Sequence, residues 1–354
     1  MTRVFLFFFL VSAGLVEAGS ARLTAELMAE YRQEVQRWSM RLQEARTPEE
    51  QLKAWGDRPD SDKFGARVWE QLRTSLADEW ILEFAPEFLE SAPGFAMRER
   101  GGRVPARLLM QAVERYHLKS PRVGPLALAL TVVPDPAVID VVSKVGSSNP
   151  DEKVQGVAAL AQALLLRRIG DDPENMKNRL TLLKEAIIKS ADVRIGNTTL
   201  ARLAESELYS IQRLSKGRVA PNLVGRDTAG RPVSLTALRG KIVVLVFWQS
   251  WMAEADRVVD ILARFHQDNQ GRPVELIGVA GVREEVLRNL IKKGAVPWRN
   301  IVDSDGALAS QYQVVQMPKV FIIDEKGVIQ HIGAPDSFMN LAVEGLLAEP
   351  APAP

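Results

Sequence analysis

Apolar residues recur every three or four positions along most of the first 216 residues. Leu27, Tyr31, Val35, Trp38 and Leu42 do so with charged residues between them, which predicts an amphipathic helix, with Thr24 as its cap. Further helix starts share one device, a capping residue followed by proline. Thr47-Pro48, Ser120-Pro121, Asp135-Pro136, Asn149-Pro150 and Asp172-Pro173 all fit it. The cap side chain satisfies a free backbone N–H, and proline suits the first helical position because its missing N–H had no partner there. Thr47 with Glu50, and Asn149 with Glu152, have capping-box spacing. After Asn149, one stripe carries Val154, Val157, Ala158, Ala161, Leu164 and Leu165, and long amphipathic helices follow at about 173–190 and 198–215. Pro59, Pro86, Pro93, Gly94, Gly101 and Gly102 make 50–105 read as looser. The start sites are unevenly spaced, so stacked helix pairs are possible but no strict repeat is implied. Residues 22–216 thus read as a helical domain, structural or partner-binding, with no recognisable catalytic pattern.

The periodicity changes after Gly217. Ile242 to Trp248 is an unbroken β-branched and apolar run, the pattern of a strand buried on both faces. A helix is expected at about 253–268, a strand over Val274–Ala280, a helix at about 283–293, and a strand over Val320–Asp324. Glu325-Lys326-Gly327 reads as a tight turn, returning the chain antiparallel over Val328–Ile332. A last helix is expected at about 335–348. Alternating strands and helices closed by a hairpin predict a mixed four- to five-stranded sheet flanked by helices, so the fold class is α plus α/β.

Composition narrows the chemistry. The 354 residues, 46% hydrophobic and 25% charged, allow two domains with ample cores. A net charge of +1, from 45 basic and 44 acidic residues, gives no basic footprint for nucleic acid. There is no cysteine, which removes thiol nucleophiles, thiolate ligands and disulfides. Arg3, the apolar run Val4 to Val16 and the small-residue site Val16-Glu17-Ala18 read as a secretion signal over 1–18, cut after Ala18. No later segment is apolar enough to span a bilayer, so the mature chain is expected to be exported, periplasmic or extracellular. The tail 349–354, rich in proline and alanine, is expected to be disordered.

Several local patterns then align in order. Val219-Ala220-Pro221-Asn222 precedes a hairpin signal, Gly230-Arg231-Pro232-Val233-Ser234-Leu235. Leu238-Arg239-Gly240-Lys241 turns into the long strand, Phe247-Trp248-Gln249-Ser250-Trp251 ends it, and Gln316-Met317-Pro318 precedes a later strand. Residues 219–345 in this order resemble the thioredoxin fold, in its periplasmic TlpA-like branch of AhpC/TSA-type redoxins. The resemblance implies a domain over 219–348, a cis-proline at Pro318, and Cys-x-x-Cys after the second tryptophan. Here those four positions are Met252-Ala253-Glu254-Ala255. A thioether cannot ionise, so Met252 cannot replace a thiolate at a helix start. Val246 stands where such proteins often keep a buried acid.

Fold resemblance alone would suggest a thiol-disulfide oxidoreductase. The missing sulfur argues for a non-catalytic binding or scaffolding protein, with no catalytic residue, cofactor or metal assigned. Its expected groove comprises Trp251, Met252, Ala255, Met317 and Pro318, and would take an extended peptide or protein partner. Trp248 is expected in the core. Glu254 and Asp256 offer a rival enzyme of another class, although acids at a helix start ordinarily complement its dipole. A third alternative has the helical domain as the binding surface. Asp303-Ser304-Asp305-Gly306 starts like a calcium loop but lacks the closing glutamate, and reads as a turn and helix cap.

Overall fold

The long β-branched run after Lys241 forms the strand that its pattern predicts, and the rest of its unit is assembled around it. The structure is a computed structural model describing residues 19–45, 47–99, 104–170, 172–249 and 255–348. The secretion signal, the tail, Gly101, Gly102, Trp251, Met252 and Glu254 lie outside the described residues.

Packing divides the chain into two units. One runs to Ala45 and then comprises Lys53–Leu165 and Glu185–Ile195; the other comprises Arg46–Leu52, Leu166–Lys184 and the chain from Gly196. This division is finer than a single boundary near 216, because residues 166–184 and the helix before Gly217 group with the sheet.

The first unit is helical. Its helices are α1 (Ala21–Glu44), the end of α2 (Pro48–Gly56), α3 (Ser61–Leu72), α4 (Ile81–Ser91), α5 (Pro93–Ala96), α6 (Pro105–Ala112), α7 (Gly124–Ala129), α8 (Val138–Ser148) and most of α9 (Glu152–Ile169), with one wider π turn at Val113–His117. The described part of the segment 50–105, residues 50–99 and 104–105, is not loose. Phe64, Val68, Leu72, Ile81, Phe88 and Phe95 are all in the core, and Phe88 stacks on Trp69 at 5.7 Å. Its prolines serve the fold instead of breaking it: Pro93 opens α5. Gly65 lets α3 approach α5, where a Cβ would fall 2.8 Å from that of Ala92.

Two expected caps are corrected. Ser20, not Thr24, caps α1, with its Oγ accepting from the Leu23 amide, while Thr24 is buried and donates to the Ser20 carbonyl. Ser120 starts no helix; its Oγ donates to Glu79 and accepts from the Arg122 amide, which holds a turn. Thr47 and Glu50 do form the reciprocal capping box, each side chain accepting from the other's amide at 3.1 Å.

The second unit carries α10 (Pro173–Ser190, its first part), α11 (Leu200–Arg213), a small hairpin β1 (Val224–Arg226) and β2 (Pro232–Ser234), and the main sheet. The sheet strands are β3 (Ile242–Trp248), β4 (Val274–Ala280), β5 (Arg299–Val302), β6 (Lys319–Ile323) and β7 (Ile329–Gly333), in the order β5-β4-β3-β6-β7. β3 pairs parallel to β4 and antiparallel to β6, so it is the middle strand. Four helices accompany the strands: α12 (Ala255–Asp268), α13 (Glu284–Lys292), α14 (Ala307–Gln311) and α15 (Ser337–Ala348).

All seven residues of β3 are buried. Alternate side chains feed two cores, as the period of two requires. Val244, Val246 and Trp248 pack with Leu262 and Phe265 of α12 and with Met339 and Val343 of α15. Val243, Leu245 and Phe247 pack with Leu214, Tyr312 and Phe321. Burying each large apolar side chain contributes about 1.5–3 kcal/mol. Edge strand β5 was not anticipated, because its Arg299 and Asn300 interrupt the apolar pattern. Asn300 is nonetheless fully buried, and its Oδ1 accepts the indole N–H of Trp248 at 3.0 Å. Trp248 is therefore core, as expected.

Candidate functional site

The site lies where the middle strand ends. β3 stops at Trp248, α12 begins at Ala255, and the loop before β6 brings Pro318 to the same edge. The Met317–Pro318 peptide bond is cis. Pro318, the α12 residues Val258, Ile261 and Phe265, and Pro335 on the turn before α15 line a groove of about 600 Å³. Apolar surface predominates in its lining, which also carries Arg257, Arg264, Asp268, Asp336, Ser337 and Asn340.

Of the expected site residues, Trp251, Met252 and Glu254 lie outside the described residues. Pro318 is half-buried and lines the groove. Met317 is half-buried too, but its side chain packs against the core around Phe247, Tyr312 and Phe321. Ala255 opens α12. Asp256 is exposed in the first turn of α12.

Neighbouring groups hold the loop before Pro318. The Tyr312 hydroxyl donates to the Pro221 carbonyl at 2.5 Å, and burial pushes its pKa far above the usual phenol value. Gln313, in the left-handed region at φ 50°, donates through Nε2 to the Ser206 carbonyl at 2.8 Å and to its hydroxyl at 2.9 Å. Asp303 caps α14, its carboxylate accepting from the Leu308 and Ala309 amides. That is the turn-and-cap role its sequence suggested.

Beyond Pro318, Lys319 is half-buried in a cationic neighbourhood. Burial first, and then the Arg167 guanidinium, hold its pKa below the ordinary lysine value. Arg167 and the buried Arg179 share one carboxylate, Glu207 on α11, with Arg179 at 3.5 Å. Far along the sheet, the buried Asp227 ties its own turn to β5. Its oxygens accept from the Ala229 and Arg231 amides and from the Arg231 and Arg299 side chains, at 2.8–3.1 Å. Burial raises its pKa, but these hydrogen bonds outweigh that and hold it below the usual carboxylate range.

Comparison with known proteins agrees with this architecture. The sequence profile of the AhpC/TSA family matches residues 216–332. The sheet-bearing part of the chain is a thioredoxin-like redoxin domain. Two relatives bear the name thiol-disulfide oxidoreductase ResA. The one from Bacillus subtilis strain 168 is 29% identical over 119 residues, which is 33% of this chain and 66% of that protein. The one from Bacillus cereus ATCC 10987 is 27% identical over 158 residues, covering 44% of this chain and 88% of that protein. Similar solved structures include the thioredoxin domain of a thiol-disulfide oxidoreductase from Bacteroides vulgatus. It has 24% identity, a TM-score of 0.34, and coverage of 37% of this chain and 96% of that one. StoA from Bacillus subtilis has 22% identity, a TM-score of 0.31, and coverage of 34% and 94%.

The redoxin domain has no thiol, since the chain contains no cysteine. Its groove therefore offers surface and charge, not a dithiol. The Arg257 and Arg264 rim was not singled out from the sequence. On an amphipathic helix such arginines read as a solvated face, and only the facing turn at 334–337 makes them a wall.

Proposed function

We propose that this chain is an exported, non-catalytic redoxin-fold protein whose groove beside Pro318 docks an extended peptide or a protein partner. One observation carries the reading. The relatives are named for thiol-disulfide chemistry, whereas this chain keeps the fold and an apolar groove without a single cysteine. Electron transfer of that kind needs an ionisable sulfur. Without it, apolar walls beside an extended loop support recognition of a peptide. Export rests on the signal pattern of residues 1–18, and among the described residues no helix is long and apolar enough to cross a membrane. The helical region adds a second surface in this reading.

The test has two arms. Insulin reduction by dithiothreitol should proceed at the background rate when the protein is added; faster turbidity would overturn the non-catalytic part. For docking, an isotopically labelled sample is titrated with an unstructured probe peptide. Its seven-residue core has alanine and valine alternating with glutamine, flanked by glycine and serine. Amide shifts should cluster at 257–268, at Met317 and Lys319 flanking Pro318, and at 334–340, and Ile261→Asn should weaken them. Shifts elsewhere, or none at millimolar peptide, would reject the groove.

A further inference from the structure

The groove wall on α12 is unevenly charged. Val258, Ile261 and Phe265 form its apolar stripe, and Arg257 and Arg264 stand along one side of it, two turns apart. Both arginines are exposed, and neither takes part in an ion pair among the described residues, although Asp260 lies within a turn of each. Several other helical arginines do find carboxylates, such as Arg288 with Glu284 and Arg67 with Glu30. The two acids of the rim are placed differently. Asp336 already accepts the Phe338 amide at the start of α15, and Asp268 closes the far end of α12.

We infer that the partner is an acidic extended segment, whose carboxylates pair with Arg257 and Arg264 while its apolar residues lie on Val258, Ile261 and Phe265. This inference rests on the docking reading above and adds the chemistry of the occupant. The spacing supports it. Seven helical residues put the two arginine positions about 10 Å apart along the axis. In an extended chain, residues two or four apart lie on one side at about 7 or 13 Å, which brackets that separation within the reach of flexible side chains. Apolar residues at the intervening positions face the other way, toward the stripe. Asp268, one turn beyond Arg264, repels a carboxylate there and so confines the acidic part to the Pro318 end. Unpaired guanidiniums beside an apolar wall recognise carboxylates with little desolvation cost before binding.

Three fluorescent versions of the probe peptide decide the matter, with glutamate, glutamine or lysine at the alternating positions. Fluorescence anisotropy should give the glutamate peptide about tenfold tighter binding than the glutamine one, as two partly exposed ion pairs supply. Lysine should bind weakest, and the glutamate advantage should shrink as salt is raised from 0.05 to 0.5 M, on the order of the screening expected. The double variant Arg257→Glu, Arg264→Glu alters only exposed side chains and should reverse the order, favouring lysine. Equal affinity for all three peptides, with shifts still clustered in the groove, would overturn the acidic preference and leave docking standing. An order unchanged in the double variant would also overturn it. Failure of all three to bind would remove the docking reading and this inference with it.

Discussion

The two units bury different kinds of polar group. In the helical unit, the buried polar residues among those described are Thr24, Ser75, His117, Ser120, Asn149 and Ser190. These are neutral side chains that meet mostly backbone carbonyls: the Asn149 amide donates to the Leu118 and Ser120 carbonyls, and His117 meets the Leu76 carbonyl at 2.8 Å. The redoxin unit buries Arg179, Glu207, Asp227 and Asp303. Here charge meets charge, as Asp227 does with Arg299 and Glu207 with Arg167, while Asp303 caps α14. The helical unit is thus held by apolar packing, which is insensitive to pH. The redoxin unit adds charged ties, which are not.

The sharpest way to break that contrast is to empty each core site in turn. Phe88 is fully buried between Trp69 and Phe95. Phe88→Ala should cost about 4 kcal/mol through lost transfer energy and a cavity. Chemical denaturation should show that loss equally at pH 5 and pH 7; a strongly pH-dependent loss would blur the distinction between the units.

Asp227→Ala should cost somewhat less, about 3 kcal/mol at neutral pH, because it leaves the Arg299 Nε and two amides without their acceptor. Its pH dependence has a definite sign. The folded pKa lies below the unfolded value, so the stabilisation is complete above the unfolded value of about 4 and fades as pH falls through the folded one. The gap between wild type and variant in thermal unfolding should therefore narrow from pH 5 toward pH 2. A gap of constant size would show that the carboxylate charge contributes nothing.

The comparison also explains what was legible in the sequence. Apolar runs read well, because burial on both faces leaves a continuous pattern: β3 spans Ile242–Trp248 and β4 spans Val274–Ala280, as expected. Elements stabilised by polar ties did not. β5 is four residues long, and its Asn300 is inside because of the Trp248 indole, a partner 52 positions away. The 50–105 segment misled for a different reason. Proline and glycine mark breaks locally, yet tertiary packing absorbed Pro86 within α4 and required Gly65 for close approach. Of the candidate site, Pro318 was readable from the loop preceding a strand. The arginine rim was not, since a groove exists only once α12 faces the turn before α15.

The smallest expected effect has the opposite sign, and tests whether charge burial in the redoxin unit always stabilises. Lys319 is half-buried beside Arg167, and Glu207 already serves two guanidiniums. Its folded pKa lies below the unfolded value of about 10.4. The unfolded chain then binds more protons between those two values, so stability rises with pH across that window. At neutral pH the protonated lysine is a net cost. Lys319→Met keeps an unbranched apolar stem of similar length and removes the charge. It should raise the unfolding midpoint by about 2 °C at pH 7, and the gain should disappear as pH climbs past the unfolded pKa. A drop in midpoint at pH 7 would mean that the ammonium is satisfied by a carboxylate or carbonyl. The contrast between stabilising anions and a costly cation in this unit would then fail.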